Sequence, residues 1–224
     1  MLRPCFVLTG QPCAVLPQAG TDTFEVHLTT EPLEGERLAA YRAACLELRV
    51  KAIVIELAPG LPVQPMTCLR VSGGYEDALT AAHTLGQQLE AVGFPTRRVK
   101  IEAAPWNTHV PLTDEDAALE PDGRYFEFHA RLLLSVGGDL AGVAAICREH
   151  GAHLSRNPLK TRDDGQQERF VTLRVKGAGR ATTENRASTL VKALEEAGWA
   201  VTSTVLEYCI HDDHLELDEG WGMP

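Results

Sequence analysis

The segment FEVHL at residues 24–28 recurs as FEFHA at residues 126–130, and the fold prediction starts from this pair. His27 and His129 occupy the same place in the two segments, a separation of 102 residues (129 − 27). In both segments apolar and polar residues alternate, a pattern typical of a half-buried β-strand. The polar positions therefore share one face of the strand, and the apolar positions share the other.

Further matches follow this pair in the same order along the chain. The same separation links Cys45 to Cys147 (147 − 45 = 102). The later matches are LRV at 69–71 with 173–175 (174 − 70 = 104), LEAVGF at 89–94 with LEEAGW at 194–199 (198 − 93 = 105), Glu102 with Glu207, and His109 with His214. An ordered series of this kind predicts an internal duplication.

Each predicted unit has the element order β-α-β-β-α-β. The first has strands at residues 24–30, 52–57, 67–71 and 97–103 and helices at 34–48 and 75–92. The second has strands at 125–134, 152–157, 169–175 and 200–209 and helices at 139–150 and 181–197. This order predicts an α+β, ferredoxin-like unit, with both helices on one face of a four-stranded antiparallel sheet. We expect the two open faces to pack together or to curl into one barrel-like sheet.

The chain divides into four segments in this interpretation. An N-terminal arm at residues 1–20 precedes the first unit at 21–115, and an acidic linker at 116–124 leads to the second unit at 125–224. The linker ends in Pro-Asp-Gly at 121–123, a turn signal. From His211 onward we expect a polar tail on the surface.

Composition excludes several classes of protein. The formal net charge is −10, from 31 acidic and 21 basic residues, whereas a protein that coats nucleic acid or an anionic membrane needs a basic face. No apolar run approaches the ~20 residues of a membrane span, and the N-terminus lacks the core of a signal peptide. We therefore expect a cytoplasmic protein. Its six cysteines form no C-x-x-C pair and are expected to be reduced.

Strand alternation places a polar set on the open face of each predicted sheet. The set consists of Glu25, His27, Arg70 and Glu102 in the first unit, and Glu127, His129, Arg174 and Glu207 in the second. Arginine binds anions through two parallel hydrogen bonds, and histidine exchanges protons near neutral pH. The set therefore predicts a site for a small anionic ligand. Cross-strand ion pairs with no ligand are the alternative interpretation. His27 and His129 are the candidate catalytic residues if the protein is an enzyme.

Two phosphate-directed families share parts of this pattern. His-Leu-Thr-Thr at 27–30 and His-Leu-Ser-Arg at 153–156 resemble the H-x-[ST]-x motifs of 2H phosphoesterases, but they lie on different strands of their units. Glu-Phe-His-Ala-Arg at 127–131 is similar to the E-x-E-x-K strand of triphosphate tunnel enzymes, with histidine in place of the second glutamate. Either resemblance implies a phosphate-directed hydrolase or transferase that uses the paired histidines and arginines.

Two further segments carry candidate ligands. The run His211, Asp212, Asp213 and His214 contains ligand types for a divalent metal, with a solvated acidic tail as the alternative. The segment 153–160 is the most basic stretch of the chain and differs from its apolar counterpart at 51–62. A basic loop of this kind can bind an anionic ligand.

Three longer segments resemble an uncharacterised bacterial protein family. They are F-E-x-H at 24–27, R-F-V-T-x-R at 169–174 and E-Y-C-I-x-D at 207–212. No known activity comes with this resemblance, and the sequence leaves any cofactor unknown. The sequence therefore leaves two hypotheses: a binding or interaction module for a small anionic ligand or a protein partner, and a phosphate-directed enzyme.

Overall fold

A computed structural model describes residues 21–56, 63–135, 138–155 and 166–218. The first half contains β1 (Thr23–Thr30), α1 (Gly35–Glu47), β2 (Lys51–Ile55), β3 (Gln64–Ser72), α2 (Tyr75–Ala91) and β4 (Thr96–Ala103). The second contains α3 (Asp114–Ala117), β5 (Tyr125–Leu134), α4 (Leu140–Glu149), β6 (Ala152–Ser155), β7 (Gln167–Lys176), α5 (Arg180–Glu196), β8 (Ala200–Asp212) and a 3-10 turn (Leu215–Asp218). The α+β class is confirmed, and α3 apart, each half has the same element order.

All eight strands form one antiparallel sheet, in the order β2-β3-β1-β4-β8-β5-β7-β6. The two halves meet where β4 pairs with β8, with Lys100 opposite Asp212 and Glu102 opposite Cys209. Of the two arrangements left open by the sequence, face-to-face packing of two separate sheets is therefore not the one found. The halves join edge to edge because β4 and β8, each the outer strand of its half, pair with each other.

The apolar core lies between the helices and one face of this sheet. Alternate residues of β1, such as Val26 and Leu28, are buried against Leu85 and Leu89 of α2 and their neighbours. Phe126 and Phe128 of β5 occupy the corresponding places in the second half. Because strand side chains alternate, the polar residues between these apolar ones lie on the other face.

The segment just before the linker is anchored to the start of α5. The side chain of Asp114 accepts hydrogen bonds from the Gly179 amide at 2.8 Å and the Thr182 hydroxyl at 3.1 Å. A Cβ atom on Gly179 would come within 2.3 Å of the Thr113 backbone, so only glycine fits this approach. No described helix is long and apolar enough to cross a membrane.

Candidate functional site

The sheet register brings all eight polar residues predicted from the sequence onto one surface. In the first half Glu25 lies opposite Arg70 on one side and Glu102 on the other. In the second half Glu127 lies opposite Arg174 and Glu207 in the same way. We call this surface, together with Cys68, Lys100 and Thr172, the polar face. It contains two pairs of directly opposed carboxylates, an arrangement that repels unless cations lie nearby.

Each carboxylate of the first half lies beside at least one base. Both the Nε and a terminal nitrogen of Arg70 lie 2.8 Å from Glu25 Oε1. The other oxygen, Oε2, accepts a hydrogen bond from the Cys68 thiol at 3.2 Å. His27 Nε2 lies 3.0 Å from Glu102 Oε2 and 3.8 Å from Glu25 Oε2.

The orientation of His27 is set by the backbone. Its Nδ1 lies 3.1 Å from the carbonyl oxygen of Thr67, which only accepts, so Nδ1 carries a hydrogen. In the neutral ring Nε2 then presents a lone pair to the carboxylates. Burial lowers the pKa of His27, but the hydrogen bond and charge of Glu102 outweigh burial, and the net effect raises it. The carboxylates therefore attract a proton or another cation to Nε2.

Lys100 lies at the centre of the polar face and connects the two halves. Its Nζ is 2.7 Å from Glu102 Oε1, and it reaches past β8 to form an ion pair with Glu127. Burial lowers its pKa, but the two carboxylates more than compensate and hold the pKa well above its usual value. For the two carboxylates burial has the opposite effect and raises the pKa. Lys100 and the neighbouring bases outweigh it, so the pKa of Glu102 lies below its usual value and that of Glu127 lies well below.

In the second half the bases converge on one carboxylate. Arg174 donates to Glu127 Oε1 through Nε at 2.9 Å and a terminal nitrogen at 2.6 Å, and its guanidinium stacks 4.6 Å from the Tyr125 ring centre. His129 Nδ1 lies 3.0 Å from the Thr172 hydroxyl. This contact directs His129 Nε2 toward Glu127 at 3.4 Å and Glu207 at 3.8 Å.

Glu207 is the exception on this surface. The residue is 8% exposed, and its carboxyl group makes no hydrogen bond to any residue that the structure describes. Burial raises its pKa well above the usual value, and the Glu102, Glu25 and Glu127 carboxylates raise it further, while Lys100 opposes them. A carboxyl group in this position is either protonated or, when ionised, needs a cation beside it.

Two groups of three side chains have the ligand types and spacing of metal sites. One consists of Glu102, His129 and Glu207, the other of Glu25, His27 and Cys68, and within each group the ligand atoms lie within 4.8 Å of one another. We call them the carboxylate trio and the thiol trio. Carboxylate oxygen, imidazole nitrogen and thiolate sulfur are all ligands of divalent transition metals.

The run at 211–214 is not a surface tail, because β8 continues to Asp212. The Asp212 carboxylate is buried and pairs with Arg98 at 2.6 and 2.8 Å and with the Tyr125 hydroxyl at 2.8 Å. His211 Nδ1 lies 3.3 Å from the Tyr75 hydroxyl, and His214 Nδ1 lies 2.9 Å from the Arg97 carbonyl oxygen. These four residues join no metal-type group among the described residues, so the contacts of this run hold β8 to the first half.

The basic segment 153–160 is described only in part. Residues 153–155 form most of β6, with His153 opposite Thr172 of β7. Residues 156–160 lie outside the described residues. The proposed role of this segment in binding an anion stays a prediction.

Three members of the polar face were not among the sequence candidates. Lys100 lies two residues before Glu102, Cys68 two before Arg70, and Thr172 two before Arg174. Strand alternation puts each on the same face as its neighbour, so the signal was present in the sequence. The contact of Lys100 with Glu127 had no such signal, because it depends on the pairing of β4 with β8.

Two cavities of the described chain lie away from the polar face. One, of about 450 Å³, lies between the end of α4 and the middle of α5, beside His150 and Arg186. The other, of about 230 Å³, lies between the linker and the turn before α5, beside Glu120 and Tyr208. Neither is lined by a histidine of the polar face.

Comparison with known proteins identifies only distant structural similarity. No family model matches the chain, and no curated protein matches it. A candidate chlorite dismutase is similar at 14% identity and a TM-score of 0.27, over 85% of this chain and 96% of that one. An arginine variant of the chlorite dismutase from Candidatus Nitrospira defluvii is similar at 12% identity and a TM-score of 0.26, over 84% and 90%. At these TM-scores the similarity carries no argument about function, and the resemblance to an uncharacterised bacterial family stays a prediction.

Proposed function

We propose that the protein binds a divalent transition-metal ion at the carboxylate trio of Glu102, His129 and Glu207. The observation that carries the proposal is the Glu207 carboxyl group, which is buried beside other carboxylates without a hydrogen bond among the described residues. A buried carboxylate without a partner costs several kcal/mol. A bound cation removes that cost.

The distribution of bases supports a cation at this place. Glu25 pairs with Arg70, and Glu102 pairs with His27 and Lys100. Glu127 pairs with Lys100 and Arg174. Among the described residues, His129 is the only base within 4.0 Å of the Glu207 carboxyl group, at 3.8 Å. The carboxylate trio therefore has two acids and a neutral ligand, a set that binds a divalent ion well.

The geometry of the trio needs little adjustment to hold an ion. Bonds of about 2.0–2.2 Å from a metal to nitrogen and oxygen place the ligand atoms about 3–4 Å apart. The trio spans 4.8 Å at most. Thr172 already orients the His129 ring from its Nδ1 side, the kind of supporting contact that metal-binding histidines have. At 30% exposure, the His129 side chain also leaves a route from solvent.

The same contacts weaken the case for an anionic ligand. Arg70 and Arg174 were the groups expected to grip phosphate, and each is engaged with a glutamate of its own half. An anion would enter a surface where four carboxylates already lie close together. Neither of the two cavities described above is lined by His27 or His129.

The experiment that tests the proposal is Zn²⁺ titration of chelator-treated protein by isothermal calorimetry. We expect Glu207→Gln and His129→Ala each to weaken the affinity of this site at least ~100-fold, because loss of a supporting contact alone costs about 10–100-fold. Matched controls are Glu195→Gln on the exposed side of α5 and His83→Ala on α2. Equal Zn²⁺ binding by Glu207→Gln and wild type would contradict the proposal.

We also propose that the two halves descend from one ferredoxin-like unit by duplication. The equal element order and the equal registers of Glu25 with Arg70 and Glu127 with Arg174 support this origin. An experimental structure in which the halves fail to superpose strand by strand in these registers would contradict it.

A further inference from the structure

We infer that the thiol trio of Glu25, His27 and Cys68 is a second metal site, one with a thiolate ligand that selects a soft or borderline ion such as Zn²⁺. The inference rests on the proposed function, because the two trios adjoin and would together form a centre for two ions. Three contacts in the first half support it.

The first contact concerns Glu25. Arg70 occupies Oε1 with two nitrogen atoms at 2.8 Å, which leaves Oε2 facing the Cys68 sulfur at 3.2 Å. The arginine thus fixes the carboxylate in place while one oxygen remains for another partner. This is how hydrogen bonds around a metal site orient a carboxylate ligand.

The second contact concerns His27. Because Nδ1 carries the hydrogen that faces the Thr67 carbonyl oxygen, Nε2 of the neutral ring presents its lone pair toward Glu25 and Glu102. A lone pair aimed at carboxylates is unfavourable unless a proton or a metal ion lies between them. A histidine held by a backbone carbonyl at Nδ1 is the arrangement that metal-binding histidines use.

The third contact joins the trios. Glu102 Oε2 lies 3.0 Å from His27 Nε2, and Glu102 is itself a member of the carboxylate trio. It is therefore placed to share its carboxylate between two ions, as in two-metal sites with ions about 3.5–4 Å apart. Binding at the thiol trio releases the proton of the Cys68 thiol to solvent, because the thiolate is the ligand.

The ligand types separate the two sites chemically. The carboxylate trio offers oxygen and nitrogen only, whereas the thiol trio adds sulfur, which favours softer ions. The equivalent of Cys68 in the second half is Thr172, which lies two residues before the arginine in the same register. The second half therefore has a hydroxyl, and no thiol, at the position equivalent to Cys68.

The test counts ions and identifies the thiolate. Native mass spectrometry with Zn²⁺ gives the number of bound ions per full chain, and the near-ultraviolet absorption of the Co²⁺ form reports a thiolate ligand. We compare wild type with Cys68→Thr, which inserts the residue accommodated at position 172, and with Glu207→Gln. The controls are Cys147→Ala, which removes a buried thiol of α4 in the apolar core, and Glu195→Gln.

We expect two ions in wild type. Cys68→Thr should keep one and lose the thiolate band, and Glu207→Gln should keep one and retain the band. A single ion that Glu207→Gln abolishes and Cys68→Thr leaves unchanged overturns the second site and leaves the proposed function intact. A single ion with a thiolate band that only Cys68→Thr abolishes supports the thiol trio and overturns the site at Glu207. No bound ion overturns both.

Circular dichroism and thermal melting of each variant show that the fold is kept. If Cys68→Thr does not fold, Cys68→Ala replaces it, since alanine adds no atom to the site. Retention of two Zn²⁺ ions and the thiolate band by a folded Cys68 variant also overturns the inference.

Discussion

The two halves of the polar face hold equivalent residues in equivalent registers, yet they differ in how the charges are matched. Lys100 lies opposite His27 in the first half, whereas Val205 lies opposite His129 in the second. The His27 side chain is 11% exposed and close to its carboxylate, whereas that of His129 is 30% exposed and more distant. Val205 stands where the first half has Lys100, and Glu207 has only His129 as a base within 4.0 Å among the described residues.

A repeated constellation therefore need not repeat its chemistry. In the first half Arg70, His27 and Lys100 all lie beside the two opposed carboxylates. In the second half Lys100 and Arg174 converge on Glu127, and the Glu207 carboxyl group makes no hydrogen bond among the described residues. Substitutions at the residues that create this contrast between the halves should abolish it or make it clearer.

Asp212→Asn should have the largest effect, because the contrast depends on the pairing of β4 with β8. The change leaves the buried Arg98 without its carboxylate, which costs about 3–5 kcal/mol in the free energy of unfolding. Urea unfolding measures the loss. Asp213→Asn, at an exposed neighbour, is the control, and an equal loss there would contradict the role of the buried pair.

The same pair predicts a pH dependence. Burial raises the pKa of Asp212, but the hydrogen bonds and charge of Arg98, helped by Tyr125, outweigh burial and lower it. A lowered pKa contributes stability above the unfolded value of about 3.9, and the contribution is lost as the pH falls through the folded pKa. The stability difference between wild type and Asp212→Asn should therefore shrink in acid below about pH 4. A difference that stays constant from neutral pH to acid would contradict this.

Lys100→Met removes the cation that the two halves share. We expect a loss of about 3 kcal/mol in unfolding free energy, at the lower end for a broken buried pair, because His27 and Arg174 remain beside the two carboxylates. Lys192→Met on α5 removes an exposed i,i+4 pair and should cost less than about 0.5 kcal/mol. Equal losses in the two variants would show that Lys100 has no special role.

Val205→Lys gives the second half the base that the first half has. A lysine opposite His129 should pair with Glu207 and compete with the metal, weakening Zn²⁺ affinity at the carboxylate trio ~100-fold, or about 2.7 kcal/mol. Calorimetric titration measures the change, with Val205→Met as the control for added volume. Unchanged affinity in the lysine variant would place the ion elsewhere.

The two arginines provide the smallest contrast. Arg174 is 18% exposed and donates twice to a buried carboxylate, so Arg174→Ala should cost about 2 kcal/mol in unfolding free energy. Arg70 is 49% exposed, and Arg70→Ala should cost less than about 1 kcal/mol because solvent screens its pair. Urea unfolding measures both losses. A larger loss of unfolding free energy in Arg70→Ala than in Arg174→Ala would contradict this contrast.

Much of the architecture was predictable from local periodicity. All four strands and both major helices of each half were predicted, and every observed end lies within three residues of the prediction. The differences that matter most are the end of β8, which continues to Asp212, and α3, which was not predicted. Both depend on partners distant in sequence: Arg98 holds the end of β8, and Gly179 and Thr182 hold Asp114.

The amino-acid sequence was enough to predict which residues share the polar face, because a strand turns alternate side chains to the same side whatever it pairs with. The alternation in β1 and β5 groups Glu25 with His27 and Glu127 with His129. The choice of which base meets which acid belongs to the tertiary structure. The pairing of β4 with β8 brings Lys100 to Glu127, whereas His129 is the only base within 4.0 Å of Glu207 among the described residues. No local pattern encodes such a contact between strands of different halves.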